Sequence, residues 1–245
     1  MLRISGVTKR YEDDAGVRHA ALDRIDLAIT EHEAVALVGA SGCGKTTLLR
    51  IVSGLECATD GQLTLGGDGV TGPRRDVGVV FQEPRLMPWL TVRENVRLAL
   101  LDLPRTAQDA LIGDLLQDVG LADFGDALPR QLSGGMAQRV ALARGLARKP
   151  SVLLLDEPFS ALDSFTRVKL QDRLGALWEK ARFTLLLVTH DIDEAVTLSD
   201  RIIVMRGRPG RIYREFAVDL PRPRRRTALE FQTVKEHVTV ALNPS

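Results

Sequence analysis

Along the chain the spacing of apolar and polar positions keeps changing, and each change marks an element. Leu2–Arg10 and Leu22–Ile29 alternate apolar with polar residues, the period-two rhythm of strands with one covered face. Between them Asp13-Asp14-Ala15-Gly16 is a turn cluster, so the pair predicts an antiparallel layer. Val35-Ala36-Leu37-Val38 is instead apolar without interruption. So are Val152–Leu155 and Leu185–Val188, and unbroken runs of this kind suit parallel strands covered on both faces. Val77–Phe81 and Arg201–Met205 are read as further core strands, the run at Leu185–Val188 begins at Thr184, and Gln62–Leu65, bracketed by Asp60-Gly61 and Gly66-Gly67, is read as a short strand.

Helical spacing dominates the middle of the chain. Glu83–Leu90 contains Pro84 and Pro88, which exclude a regular helix, and it carries Leu86, Met87 and Trp89 close together. Thr91-Val92-Arg93-Glu94 fits a capping box and starts a helix through about Leu101. Thr106–Val119 is a second helix with Ala107, Leu111, Leu115 and Val119 along one face, closed by Gly120. A third runs from the Leu132–Arg139 segment to Ala147, before Pro150. Ser160-Ala161-Leu162-Asp163 then turns into a helix over Ser164–Lys180, and Asp193–Leu198 is a short helix. Beyond Arg211 come a hairpin-like end, a basic run (Arg222, Arg224, Arg225, Arg226) read as solvated surface, and one more helix. The fold class expected is α/β, with a mainly parallel sheet, an antiparallel β layer and an inserted α-helical subdomain. The organisation expected is one domain, with a core over 1–83 and 151–211, helical residues 84–150 and a tail over 212–245.

Composition narrows the setting. The 245 residues, 44% of them hydrophobic, suffice for one substantial core, or for one core and a small subdomain. A net charge of +1 creates no field that calls for nucleic acid, and none is expected as a partner. Cys43 and Cys57 are the only cysteines, which fits a reducing cytoplasm better than a disulfide framework. The N-terminus shows no charged-then-apolar signal and the apolar runs are too short to span a bilayer, so a soluble protein is expected, able to reach a membrane through a partner.

The chemistry centres on Gly39-Ala40-Ser41-Gly42-Cys43-Gly44-Lys45-Thr46, which fits G-x-x-x-x-G-K-[ST] between a strand and a helix. Successive backbone N–H groups and the helix N-terminus there point at one place, an anion cradle. Lys45 would reach the β- and γ-phosphates of a nucleoside triphosphate, Thr46 would ligate Mg²⁺, and Thr47 would meet the α-phosphate. Asp156 and Glu157 follow an apolar strand, placing one carboxylate for a Mg²⁺ shell and another to orient or deprotonate water. Gln82 and His190 also end strands, where polar groups face the ligand crevice of an α/β sheet. His190 reads either as a core histidine or as a γ-phosphate contact, with convergence favouring the second. Tyr11 reads as a purine-stacking platform or as a rim tyrosine. Ser133-Gly134-Gly135 reads as a second anion site or as a serine-capped helix start.

With Gln82, Leu132–Arg139, Asp156-Glu157, Asp163 and His190 in this order, the chain resembles the ATP-binding cassette (ABC) ATPases, whose core is of the P-loop NTPase type. The Ser-Gly-Gly segment discriminates it from simple P-loop GTPases and kinases. The resemblance spans about Leu2–Arg211 and implies two copies paired head to tail. ATP would then lie between one copy's phosphate loop (Gly39, Ser41, Gly42, Cys43, Gly44, Lys45, Thr46, Thr47) and the other's Ser133, Gly134, Gly135 and Gln138. It implies that Tyr11 stacks adenine, Gln82 senses metal and the membrane partner, and Glu157 is the catalytic base. It also implies that Asp163 couples the two sites and that His190 holds the γ-phosphate. Phe81–Trp89, Arg208-Pro209-Gly210-Arg211-Ile212 and Pro221–Arg226 resemble the nitrate/sulfonate/taurine importer group. The function expected is an ATPase at the cytoplasmic face of a bacterial-type membrane. It would drive uptake of a small anion through a separate permease fed by a solute-binding protein. A non-transport cassette, acting as a scaffold or in a nucleic-acid-linked process, is the alternative, distinguished by its partners.

Lys45→Ala is expected to abolish tight MgATP binding with the fold intact, because it removes the cation that meets the triphosphate. Calorimetric titration checks this, and unchanged affinity would contradict it.

Overall fold

The computed structural model describes residues 1–12, 16–160 and 162–243. The expected turn at Asp13, Asp14 and Ala15 lies outside the described residues, as does Ala161 of the later turn. In chain order the strands and α-helices are β1 (Leu2–Glu12), β2 (Arg18–Ile29), β3 (Ala34–Gly39), α1 (Lys45–Val52), β4 (Asp60–Leu65), β5 (Asp68–Gly69), β6 (Val77–Val80), α2 (Val92–Arg97), α3 (Arg105–Asp118), α4 (Gly134–Leu146), β7 (Val152–Asp156), α5 (Ser164–Ala181), β8 (Thr184–Thr189), α6 (Ile192–Leu198), β9 (Arg201–Arg206), β10 (Arg211–Ala217) and α7 (Leu229–Leu242). The fold is α/β, and the chain forms two compact units, Met1–Arg74 with Thr184–Ser245 and Arg75–Phe183.

In the first unit, β1 lies between β2 and β4 in an antiparallel sheet, with Leu2 opposite both Ile29 and Leu65. Its buried face carries Leu2, Ile4, Ile29, Leu63 and Leu65, the alternation read from the sequence. A second layer runs β10-β9-β3-β8. There β3 has parallel neighbours on both sides, Leu37 lying opposite Val188 of β8 and Ile203 of β9. Ala34–Val38 are buried throughout because α1 and α6 also pack on this layer. The most enclosed strand of the unit thus runs straight into the phosphate loop.

The tail departs from expectation. Within the basic run Arg225 is exposed as expected, but Arg222 and Arg224 are not solvated surface. The Arg224 side chain is only 1% exposed, and Arg222 pairs with Asp200 at 2.6 Å. Each guanidinium finds backbone carbonyls that need donors, a fit that composition alone does not reveal. Helix α7 buries Phe231, Val238 and Ala241 and packs on α6 and β9.

In the second unit, β6 and β7 pair in parallel from Val77 opposite Val152 to Val80 opposite Leu155. This unit is wider than residues 84–150, since it takes in both strands and α5. The capping box of α2 forms as read: Glu94 N–H donates to Thr91 Oγ1 at 3.2 Å, and Thr91 N–H to the Glu94 carboxylate at 2.8 Å. Hydrogen bonds from the Thr91 backbone and hydroxyl hold the Glu94 carboxyl below its ordinary pKa. A 3₁₀ turn, Leu98–Leu100, extends the helix to the expected end. The buried face of α3 is shifted by one position from the reading: Gln108, Ile112 and Leu116 face inward, with Val119 beyond them. Ile112 and Leu116 carry the same four-residue spacing as Leu111 and Leu115, so periodicity could not separate the faces. Leu111 and Leu115 instead line an open groove of about 730 Å³.

The proline-broken segment before α2 is organised by Asn95, which is fully buried. Its Oδ1 accepts from Met87 N–H at 2.8 Å, and its Nδ2 donates to the carbonyls of Met87, Leu90 and Thr91. Arg144 of α4 donates to the Pro84 and Arg85 carbonyls at 2.7 and 2.9 Å. Asn95→Ala would strand several of these groups and is expected to destabilise the chain by about 1–3 kcal/mol. Urea denaturation measures the loss, and an unchanged midpoint would contradict it.

Candidate functional site

The phosphate loop leaves β3 at Gly39 and enters α1 at Lys45. Gly42 and Gly44 stand at φ 80° and 90°, the left-handed region where a side chain is strained. Space excludes side chains as well. A Cβ on Gly39 would lie 2.5 Å from the Met205 carbonyl oxygen, and one on Gly44 would lie 2.8 Å from that of Ala21. The back of the loop is therefore pressed against backbone of β9 and β2. Lys45 is only 6% exposed, and its Nζ donates to the Gly39 and Ala40 carbonyls at 2.7 and 3.1 Å. Its ammonium lies within the curl of the loop. The first turn of α1 has no acidic residue to oppose the positive end of the helix. Cys43 is buried, so what it offers a ligand is its backbone, and neither cysteine is in a disulfide. Ser41 is exposed, and Thr46 and Thr47 are half-buried on the first turn.

A residue to which the sequence assigns no role sits on this loop. Arg208 donates to the Ser41 carbonyl at 2.9 Å, and its guanidinium covers Gly42. Behind the loop Gly210 exchanges backbone bonds with Ala21 and Asp23, at 2.9 and 3.0 Å. In the sequence, Arg208-Pro209-Gly210-Arg211-Ile212 is a group marker and no more. Nothing local in it signals that it returns to a loop more than 160 residues earlier.

Tyr11 lies beside the same loop. Its hydroxyl donates to the Glu56 carboxylate at 2.8 Å and is hydrogen-bonded with the Thr47 side chain. Burial, with Glu56 adding to it, raises the phenol pKa. Tyr11 is 37% exposed, and the Lys9 ammonium stands 4.9 Å from the centre of its ring. The rim and stacking readings are thus compatible: the hydroxyl is tethered while the ring is partly open. His190 leaves β8 immediately after Thr189, which pairs with Val38. Its side chain is exposed at the same edge of the layer where Gly39 begins the loop.

The second unit assembles the remaining groups. Val80 pairs with Leu155, so Gln82 and Asp156-Glu157 leave their strands at one carboxyl edge. Gln82 is exposed and Asp156 is buried. Glu157 stands at φ 45°, an uncommon conformation for a residue with a side chain and one that concentrates at functional sites. The turn is fastened by Ser160, whose hydroxyl donates to the Glu157 carbonyl at 3.0 Å. Ser133 is the N-cap of α4, its hydroxyl accepting from Met136 N–H at 3.2 Å, and Ser133 and Gly134 are both exposed. A Cβ on Gly134 would meet open space, whereas one on Gly135 would lie 2.9 Å from Thr166 Cγ2.

Gln138, expected to meet a partner's nucleotide, is buried rather than part of this exposed face. It is 4% exposed, and its amide donates to the Phe81 carbonyl at 3.2 Å. Gln138 lies about one turn beyond the buried Gly135 on the same face of α4, and ties the helix to the strand end before Gln82. Asp163 caps α5 by accepting from Phe165 and Thr166 N–H at 3.1 and 3.0 Å. Hydrogen bonds from the Thr166 side chain and backbone lower its pKa.

Residues 22–160 match the family described as ABC transporter. The aliphatic sulfonates import ATP-binding protein SsuB 1 of Xanthomonas axonopodis pv. citri is 57% identical over 232 residues, covering 94% of this chain and 89% of that protein. The bicarbonate transport ATP-binding protein CmpC of Synechococcus elongatus is 49% identical over 228 residues, covering 91% of this chain and 34% of that protein. Among solved structures, the dimeric structure of MJ0796, a bacterial ABC transporter cassette, superposes with a TM-score of 0.82 at 34% identity, covering 90% of this chain and all of that one. The same cassette in a dimeric post-hydrolysis state bound to ADP and phosphate gives the same values.

Proposed function

The chain belongs to the ABC transporter family, and from that premise we propose that it is the ATP-hydrolysing subunit of an importer for a small anion. The observation that carries this reading is the glycine-built cradle around Lys45, a backbone shaped for a polyanion. Similarity to proteins named for sulfonate import and bicarbonate transport supports a small anion as the solute.

In this reading Lys45 and the N–H groups of Gly42, Gly44 and Thr46 hold the β- and γ-phosphates, Thr47 meets the α-phosphate and Tyr11 packs against the base. Glu157 accepts the proton of the attacking water as it adds to the γ-phosphorus, and the bond to the β-phosphate oxygen breaks. His190 holds the γ-phosphate oxygens. Thr46, Asp156 and Gln82 offer hard oxygen donors of the kind Mg²⁺ accepts beside substrate phosphates. A metal held there would supply neutralisation of the triphosphate's developing charge. The left-handed turn at Glu157 supports its assignment, since such conformations concentrate at functional sites.

A second copy completes each site, with Ser133, Gly134 and Gly135 donating to nucleotide on the partner's loop and Asp163 linking the two sites. The dimeric state of the similar cassette MJ0796 supports this. The permease is a separate protein, and Leu86, Met87 and Trp89 form part of the surface that receives it. Trp89 is 72% exposed, unusual for so large an apolar side chain. No helix among the described residues is long and apolar enough to cross a membrane, which suits a peripheral place at the cytoplasmic face. A solute-binding protein delivers the anion to that permease. We read residues 1–245 as one cassette with helical residues 84–150 inserted in its core.

Glu157→Gln is expected to keep ATP affinity and lower hydrolysis by roughly 10²–10⁴-fold, leaving an ATP-bound dimer. Phosphate release and light scattering measure the two outcomes. A wild-type rate, or a monomer in saturating ATP, would contradict the assignment.

A further inference from the structure

The basic run of the tail plays no part in the chemistry described so far, yet two of its arginines stand at the far end of the helix that follows His190. Helix α6 has seven residues and is about 10 Å long at roughly 1.5 Å per residue. A helix this short has little stability of its own, so its position is set by what holds its ends. Its last carbonyls have no partner within the helix. The chain also does not close on them through a left-handed residue, because Ser199 at the C-terminal cap is extended, with φ −105° and ψ 154°.

The tail supplies the donors instead. Arg224 Nη1 donates to the carbonyls of Val196 and Ser199 at 2.6 and 2.5 Å, and Arg222 Nη2 to that of Leu198 at 3.0 Å. The remaining donors of Arg224 close the tail around it, through the carbonyls of Leu220 at 3.1 Å and Val218 at 3.0 Å. Burial pushes the Arg224 pKa down to about 10, so the side chain stays cationic at neutral pH, at the end of the helix that favours a cation. Arg222 carries the clamp to the phosphate-loop strand. It pairs with Asp200 Oδ1 at 2.6 Å, and Asp200 Oδ2 accepts from Ala34 N–H at the start of β3 at 3.0 Å.

The other end of α6 is fastened as firmly. The Asp191 carboxylate caps it, accepting from Asp193 N–H at 2.8 Å and Glu194 N–H at 3.3 Å. Lys235 of α7 pairs with Asp193 at 2.8 Å. Thr189 Oγ1 donates to the Glu194 carboxylate at 2.5 Å and accepts from Asp191 N–H at 3.0 Å. His190 is the single residue between Thr189 and that cap, so a shift of α6 shifts His190.

We propose that Arg224 is a positioning residue for His190: the tail clamps the carbonyl end of α6 and so sets where the histidine meets the γ-phosphate. This rests on the role proposed above for His190. Lysine keeps the charge but has no planar fork to span carbonyls from separate segments.

The test is ATP hydrolysis by the purified full-length chain in four forms: wild type, Arg224→Ala, His190→Ala and the double variant, each checked for fold by circular dichroism. Arg224→Ala is expected to lower kcat by about tenfold with KM for ATP changed less than about twofold, since small misplacements of reacting groups cost rates of this order. Arg224→Lys should recover only part of the rate. If Arg224 acts through His190, adding Arg224→Ala to His190→Ala should lower the residual rate by less than about twofold, the non-additivity expected of residues acting as one unit. Should Arg224→Ala not fold, Arg222→Ala, which loosens the same helix end, takes its place in the cycle. A wild-type kcat in Arg224→Ala, or losses that multiply in the double variant, would overturn the inference alone. A His190→Ala chain at the wild-type rate would overturn the role of the histidine, and this inference with it.

Discussion

A loop that binds a triphosphate must bring backbone N–H groups to within contact of negative oxygen, and that requirement constrains everything packed around it. In this chain the loop curls so tightly that Gly42 and Gly44 take left-handed conformations and the Lys45 ammonium is held by the loop's own carbonyls. A curl of bare backbone has little side-chain packing to keep its shape. The surroundings supply it: the Met205 carbonyl lies behind Gly39, the Ala21 carbonyl and Leu22 behind Gly44, and the backbone of Gly210 beneath Cys43. The enclosed strand β3, the antiparallel layer and the turn after β9 all meet at this loop. The fold of the first unit is in this sense the support of eight residues.

The second unit meets a different constraint, which is to hold charged and polar groups at strand ends without burying them unpaired. Asp156 ends an apolar strand, and the chain then turns through the strained Glu157 under a hydrogen bond from Ser160. The segment that follows β6 has no regular structure of its own, and it is held at three levels: by Gln138 at the Phe81 carbonyl, by Arg144 at the Pro84 and Arg85 carbonyls, and by Asn95 from Met87 to Thr91. Two of these three residues lie on α4, the helix that begins at Ser133. A displacement of the Leu86–Trp89 surface therefore bears directly on the helix whose N-terminus is proposed to serve the partner's nucleotide. That is a physical route by which a membrane partner could influence hydrolysis.

What could be read from the sequence follows from how local each signal is. The phosphate loop, the capping box of α2 and the buried strands β3, β7 and β8 were legible because residues adjacent in sequence make the element. The position of His190 was legible because a polar residue that closes an apolar strand stands at the sheet's carboxyl edge, where α/β folds place their ligands. The inward face of α3 was not, since Ile112 and Leu116 have the same spacing as Leu111 and Leu115 and only the neighbours of α3 choose between them. The burial of Gln138 was not legible because what covers its face of α4 is the strand end at the Phe81 carbonyl, far away in sequence. Arg208, Arg222 and Arg224 were missed for a further reason: each reaches backbone carbonyls from a distant or separate segment, and carbonyl acceptors carry no sequence signature.

The central claim is that each hydrolytic site is built from two copies, the phosphate loop of one and Ser133 of the other. Single-turnover hydrolysis in a mixture of Lys45→Ala and Ser133→Arg chains tests it most directly. In the mixed dimer one site carries both lesions, while the other joins a sound loop to a sound Ser133-Gly134-Gly135 segment. Each homodimer has two damaged sites. With mixed dimers confirmed by a tag pull-down, hydrolysis is predicted in the mixture and in neither variant alone. Its absence from the mixture would contradict the shared site.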